Sequence, residues 1–205
     1  MVTFLQMRNW EDEMETAVEK WLNPLKSLVV KISLRFASFC QLLGIEGKVR
    51  LDEPNNRFDI DKYGLTILIK FRTSEALQPL THQVQSGGER SVATMLYLMA
   101  LQELSPVPFR CVDEINQGMD PVNERRVLEL LMKILENGHN LSKTQYFVLT
   151  PKLIHGIKYS DRVKIIVPYN GCEVHKKTVR IVFIDSTDVL DFGKFRLHFL
   201  AAAKD

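Results

Sequence analysis

Along the first forty residues, apolar side chains recur at helical spacing. Trp10, Met14, Ala17, Trp21, Leu28, Ile32 and Phe39 fall mostly three, four or seven apart, with acidic and basic residues between them, as in "EDEMETAVEK". Such a 3-4 alternation describes either a coiled-coil seam entering a domain or one amphipathic helix packed on its own core. Pro24 lies inside the pattern. Because proline has no N–H and crowds the carbonyl four residues back, a kink or break is expected there.

After Gly44 the period shortens from that of a helix to that of a strand. "GKVRL" (Gly47 to Leu51) and "LTILIKF" (Leu65 to Phe71) alternate apolar and polar residues. They read as antiparallel neighbours joined by a long connection with turn chemistry at Pro54-Asn55-Asn56 and at Gly64. Beyond them the rhythm is α/β. Ser91 to Leu104 is apolar almost all round, which predicts a helix buried on most sides. "FRCV" (Phe109 to Val112) predicts a short strand. Asp120-Pro121 is an N-cap and first-turn pair opening a helix with Val127, Leu128, Leu131, Ile134 and Leu135 on one face, and Asn137-Gly138 ends it. "YFVL" (Tyr146 to Leu149) and "VKIIV" (Val163 to Val167) add two strands. Strands alternating with helices predict an α/β fold with a mainly parallel sheet and flanking helices.

Two short stretches carry candidate chemistry. Ser86-Gly87-Gly88-Glu89 delivers the chain into a helix, where free N–H groups and the helix dipole attract anions and the glycines let a phosphate come close to the backbone. The same four residues also describe a plain helix start, with Ser as cap and Glu in the first turn. In "FRCVDE", an apolar strand ends in Asp113 and Glu114, at the edge where open α/β sheets bind ligands. Asp113 suits Mg2+, and Glu114 suits the orientation of an attacking water. A polar strand end is the other reading of that pair.

Order and spacing join these stretches. A Ser-Gly-Gly-Glu helix start, a buried helix, an apolar strand ending in Asp-Glu, and Asp120 before another helix match the signature motif, Walker B strand and D-loop of ATP-binding-cassette ATPases. "QSGGERSVATMLYLMALQEL", "PFRCVDEINQGMDPVNERRV", "KYGLTILIKFR" and "QYFVLTPKLIHGIKYSDRVKIIVPYNG" resemble the structural maintenance of chromosomes (SMC) family, from about Trp10 to Gly171. The resemblance implies the C-terminal lobe of an ABC-type ATPase head. Residues 1–43 would be the end of the returning coiled-coil arm, 44–171 the lobe, and 172–205 a divergent tail that resembles nothing in the family.

What the resemblance implies for single residues follows the motifs. Asp113 coordinates Mg2+ and Glu114 is the catalytic carboxylate, both on ATP held by the N-terminal lobe of the same head. Ser86, Gly87 and Gly88 would contact the γ-phosphate of ATP on a partner head, Glu89 would complete this signature for ATP binding in trans, and Asp120 would lie at the contact between heads. The Walker A pattern G-x-x-x-x-G-K-[ST] is absent from these 205 residues, so ATP chemistry is expected only as a composite, with this chain alone inactive. Implied partners are the N-terminal lobe, a partner head (the sixth member of the family), a kleisin subunit, and DNA through the whole complex, in DNA repair and recombination on chromosomes in the nucleus. The alternative is a non-catalytic docking platform for a kleisin winged-helix domain. The sequence departs from related transporters at Thr150-Pro151-Lys152, where they carry a His, which leaves Thr150 as the candidate switch. In the tail, "TVRIVFID" alternates like a strand and leaves open a lineage-specific extension, an altered reading frame or an extra edge element.

Composition adds exclusions. With 27 basic and 25 acidic side chains, charge alone does not announce a nucleic-acid binder. The three scattered cysteines and five scattered histidines offer neither a disulfide framework nor a zinc site. No apolar run is long enough for a bilayer and the N-terminus lacks signal-peptide character, so an intracellular protein with no membrane partner is expected.

Overall fold

A computed structural model describes residues 4–114, 118–137, 141, 144–150, 157–159, 162–166 and 180–184. The chain forms two compact units, one from residues 1–106 with 116–131 and one from 107–115 with 132–205.

The first unit is organised on α1 (Phe4–Leu42). Thirty-nine residues at the helical rise of 1.5 Å make a rod about 58 Å long. Of the kink or break expected at Pro24, the break does not occur, since the helix is continuous through it. The apolar positions divide into two sets. Val18, Leu22, Val29, Ile32, Phe36, Phe39 and Cys40 are buried, whereas Trp10, Met14, Trp21 and Leu28 are exposed. The 3-4 stripe read from the sequence therefore splits: Ile32 and Phe39 belong to the core, and Trp10, Met14, Trp21 and Leu28 do not. The helix closes on Gly44 (φ +74°), with the N–H of Ile45 bonded to the Cys40 carbonyl and that of Gly44 to the Gln41 carbonyl. This is the double C-terminal bond that a left-handed glycine permits.

Three antiparallel strands lie beside α1: β1 (Glu46–Asp52), β2 (Gly64–Lys70) and the short β3 (Gln78–Pro79), in that order. The first two were expected, with Val49 opposite Ile67 in the register. Strand β1 sits hard against the helix. A Cβ on Gly47 would stand 2.5 Å from both Cys40 Sγ and Phe36 Cε1, so only glycine fits. The N–H of Val49, on the free edge of β1, donates to Ser33 Oγ at 3.1 Å. Packed in that interface, the Cys40 thiol is pushed up to about 12 by burial. The connection from β1 to β2 returns along the helix, where Trp21 and Tyr63 meet edge to face at 5.1 Å. Helix α2 (Gly87–Leu104) packs on α1 through Phe36 and Tyr97, whose centroids are 6.3 Å apart. Its buried residues include Val92, Met95, Leu96, Met99 and Ala100, while Leu98 is exposed, so it is apolar on most sides but not all. Helix α3 (Pro121–Asn137) buries Val127, Leu128, Leu131, Ile134 and Leu135, the face read from the sequence.

The second unit holds a sheet ordered β4 (Phe109–Asp113), β5 (Gln145–Thr150), β7 (Arg180–Ile184), β6 (Val163–Ile166). β4 and β5 pair in parallel, and β7 pairs antiparallel with both β5 and β6. Three strands thus share one direction, and the fourth, from the tail, runs against them inside the sheet. An element at the edge was one of the options open for that segment; it lies between two neighbours instead. Alternate residues Tyr146, Val148 and Thr150 of β5 are buried, and Phe109 meets Phe147 edge to face at 6.2 Å.

Candidate functional site

Within the first unit, the start of α2 is held from several sides. Ser86 Oγ accepts the N–H of Glu89 at 3.2 Å, and Glu89 Oε2 accepts the N–H of Ser86 at 2.9 Å. This capping box satisfies two donors and leaves the N–H groups of Gly87 and Gly88, in the first turn, without an intrahelical partner. The other Glu89 oxygen, Oε1, receives Arg72 Nη2 at 3.2 Å. The loop in front is closed by Gln85, a buried side chain the sequence reading passed over. Its Oε1 accepts the N–H of Thr81 at 2.8 Å and its Nε2 donates to the Pro79 carbonyl at 3.3 Å. Arg90 reaches back to the carbonyls of Gln85 (3.2 Å) and His82 (3.4 Å).

Gly87 faces open space, whereas a Cβ on Gly88 would lie 3.4 Å from Asp120 Oδ2. Gly118, at φ +78°, approaches the same helix so closely that a Cβ there would be 3.2 Å from Ser91 Oγ. The candidate D-loop therefore sits beside the candidate signature within one unit. Asp120 caps α3 as expected, its Oδ1 accepting the N–H groups of Val122 and Asn123 at 3.0 Å each. These bonds, that of Asn123 foremost, hold its carboxyl below the usual carboxylate range.

In the second unit, Asp113 ends β4 opposite Leu149 of β5, and Glu114 follows it; both are exposed. The N–H of Glu114 continues the ladder, donating to the Leu149 carbonyl at 3.0 Å. Its φ is +49°, and it is the one non-glycine residue with positive φ among those described. A left-handed residue with a side chain costs about 1–2 kcal/mol, and such outliers gather at sites of function. Thr150, next along β5 from Leu149, is buried. The Pro151 and Lys152 that accompany it lie outside the described residues.

Among the described residues, no group of three or more His, Cys, Asp or Glu side chains is placed to hold a metal ion. A lone carboxylate such as Asp113 nonetheless fits Mg2+, which keeps several waters and takes one or two carboxylates together with phosphate oxygens. Among the described residues, no helix is long and apolar enough to cross a membrane.

No protein-family model matches the chain. Over 158 residues, 76% of its length, it is 48% identical to structural maintenance of chromosomes protein 5 of Caenorhabditis elegans, and over 159 residues, 78%, it is 45% identical to the protein of that name in Arabidopsis thaliana. It spans about 15% of the length of either relative. A solved structure of an SMC ATPase, from work on ATP-driven dimerization and DNA-stimulated activation, superposes with a TM-score of 0.51 at 21% identity, covering 80% of this chain and 89% of that one. The fold is that of an SMC-type ATPase head, a mixed α/β architecture with parallel strands and helices. The chain belongs to the structural maintenance of chromosomes family, and within it is similar to the fifth member.

Proposed function

We propose that this chain is the C-terminal lobe of an SMC ATPase head and supplies the signature motif, Walker B strand and D-loop of a composite ATP site. On this reading Ser86, Gly87 and Gly88 receive the γ-phosphate of ATP bound to a partner head, through the open N–H groups of the first turn and the Ser86 hydroxyl. Glu89 keeps that turn closed through the capping box. Asp113 offers a carboxylate oxygen to Mg2+, which when bound neutralises charge on the phosphate oxygens. Glu114 orients the attacking water and accepts its proton. Asp120, beside Gly88, lies at the contact between the two heads. Thr150 is the candidate sensor at the end of β5.

The exposed seam of Trp10, Met14, Trp21 and Leu28 calls for a helical partner, and the outgoing coiled-coil arm of the same protein is the one the family supplies. The lobe would work with its N-terminal lobe, with the head of the sixth family member, with a kleisin subunit and, through the complex, with DNA in repair and recombination on nuclear chromosomes. The observation that carries the ATPase reading is the packing of the capped Ser86–Glu89 turn against Asp120, because an isolated helix cap needs no second loop beside it. In the assembled two-head complex, Ser86→Arg is expected to block ATP-driven engagement of the heads while leaving ATP binding by the same head intact. Fluorescence energy transfer between labelled heads reads the result, and engagement that persists removes the signature role.

A further inference from the structure

The Glu89 carboxylate presents an electrostatic conflict at the start of α2. An acidic side chain in the first turn is favoured by the helix dipole, but it occupies the same positive end that a phosphate would seek. In this chain a cation stands at the carboxylate. Arg72 follows β2 in a tight turn, where the N–H of Glu75 bonds the Arg72 carbonyl at 3.1 Å. Its Nη1 lies 2.6 Å from Glu75 Oε1 and its Nη2 lies 3.2 Å from Glu89 Oε1. Glu75 thus fixes the guanidinium from behind, and the other arm of the fork reaches Glu89. The neighbouring Arg90 is turned to backbone carbonyls.

We infer that Arg72 is a positioning residue for the phosphate-binding turn: it holds the Glu89 carboxylate in the capping box and offsets its charge, so that a phosphate of ATP can approach Gly87 and Gly88. The inference rests on the signature reading proposed above. The Arg72 side chain is 65% exposed, and exposed ion pairs contribute little to folding. Its effect therefore falls on the anionic ligand rather than on stability.

The test uses the full-length protein assembled with its partner head, and reads the ATP concentration giving half-maximal head engagement together with turnover at saturating ATP. Arg72→Ala is expected to raise that concentration about fivefold, the size of one charge at a helix N-terminus, with saturated turnover and thermal midpoint little changed. Adding Glu89→Gln, which keeps the capping acceptor and removes the charge, is expected to restore the wild-type concentration. Arg72→Lys, which keeps the charge without the fork, should shift it less than Arg72→Ala. A double variant as impaired as Arg72→Ala alone, or a lysine variant equal to it, overturns the inference. Ser86→Arg in the same assay separates the two claims. If it blocks engagement while Arg72→Ala shifts nothing, the inference alone fails; if engagement survives it, the signature reading fails and takes the inference with it.

Discussion

At the start of α2, the polar side chains of Ser86, Glu89 and Gln85 are all engaged by hydrogen bonds from within the chain. At the end of β4, two exposed carboxylates follow one another across a backbone turned into the left-handed region at Glu114. The first arrangement stabilises the fold whether or not a ligand comes. The second stores strain that nothing in the local ladder requires, since the Glu114 N–H bond to Leu149 could be made by a glycine. The difference teaches where a mutation reads stability and where it reads chemistry. The turn at Ser86 mixes the two, and Glu114 separates them.

The sharpest use of that separation is Glu114→Gln. In the assembled two-head complex, turnover is expected to fall by about 10²- to 10⁴-fold, the usual contribution of a positioned general base. The thermal midpoint of the isolated chain should not move. Equal losses in both would make the two regions alike. Smaller effects follow at the backbone. Ser86→Ala removes the cap acceptor and should destabilise the chain by about 1 kcal/mol, seen as a lower midpoint in denaturant. Glu114→Gly relieves the positive φ and should stabilise it by roughly 1 kcal/mol while abolishing turnover, so that stability and activity move in opposite directions at one residue. The smallest effect belongs to Asp120. Its carboxyl sits below the usual range in the folded chain, so its contribution is complete above the unfolded value of about 3.9 and fades as pH falls through the lower folded value. An acid titration of the thermal midpoint should therefore flatten in Asp120→Asn, which keeps a capping oxygen without the charge.

Much of this site was legible in the sequence because it is built from local grammar. A serine before two glycines, with glutamate three residues on, writes a capping box directly, and Asp120-Pro121 writes the start of α3. The strands β1, β2, β4, β5 and β6 followed from alternation and apolar runs. What the sequence withheld depends on distant neighbours. A 3-4 stripe says that one face of α1 is apolar, but not that Ile32 and Phe39 are covered by this chain and Trp10 and Met14 are left open. Gly47 looks like an ordinary strand start until Cys40 and Phe36 are placed against it. "TVRIVFID" alternates as a strand should, yet the insertion of Arg180–Ile184 between β5 and β6 is a matter of pairing across the sheet. The conformation of Glu114 left no trace either, because residue type sets only a preference at positive φ and glutamate has none.

The central claim, that the chain is half of an ATPase head, is tested most directly by ATP turnover of this chain mixed with the lobe that carries the phosphate loop and with a partner head, and the Glu114→Gln variant run beside it. The account predicts turnover only in the complete mixture and its loss in the variant. Turnover indifferent to Glu114 would remove that residue from its role, and stable assembly without turnover would contradict the account and favour a docking platform for a kleisin subunit.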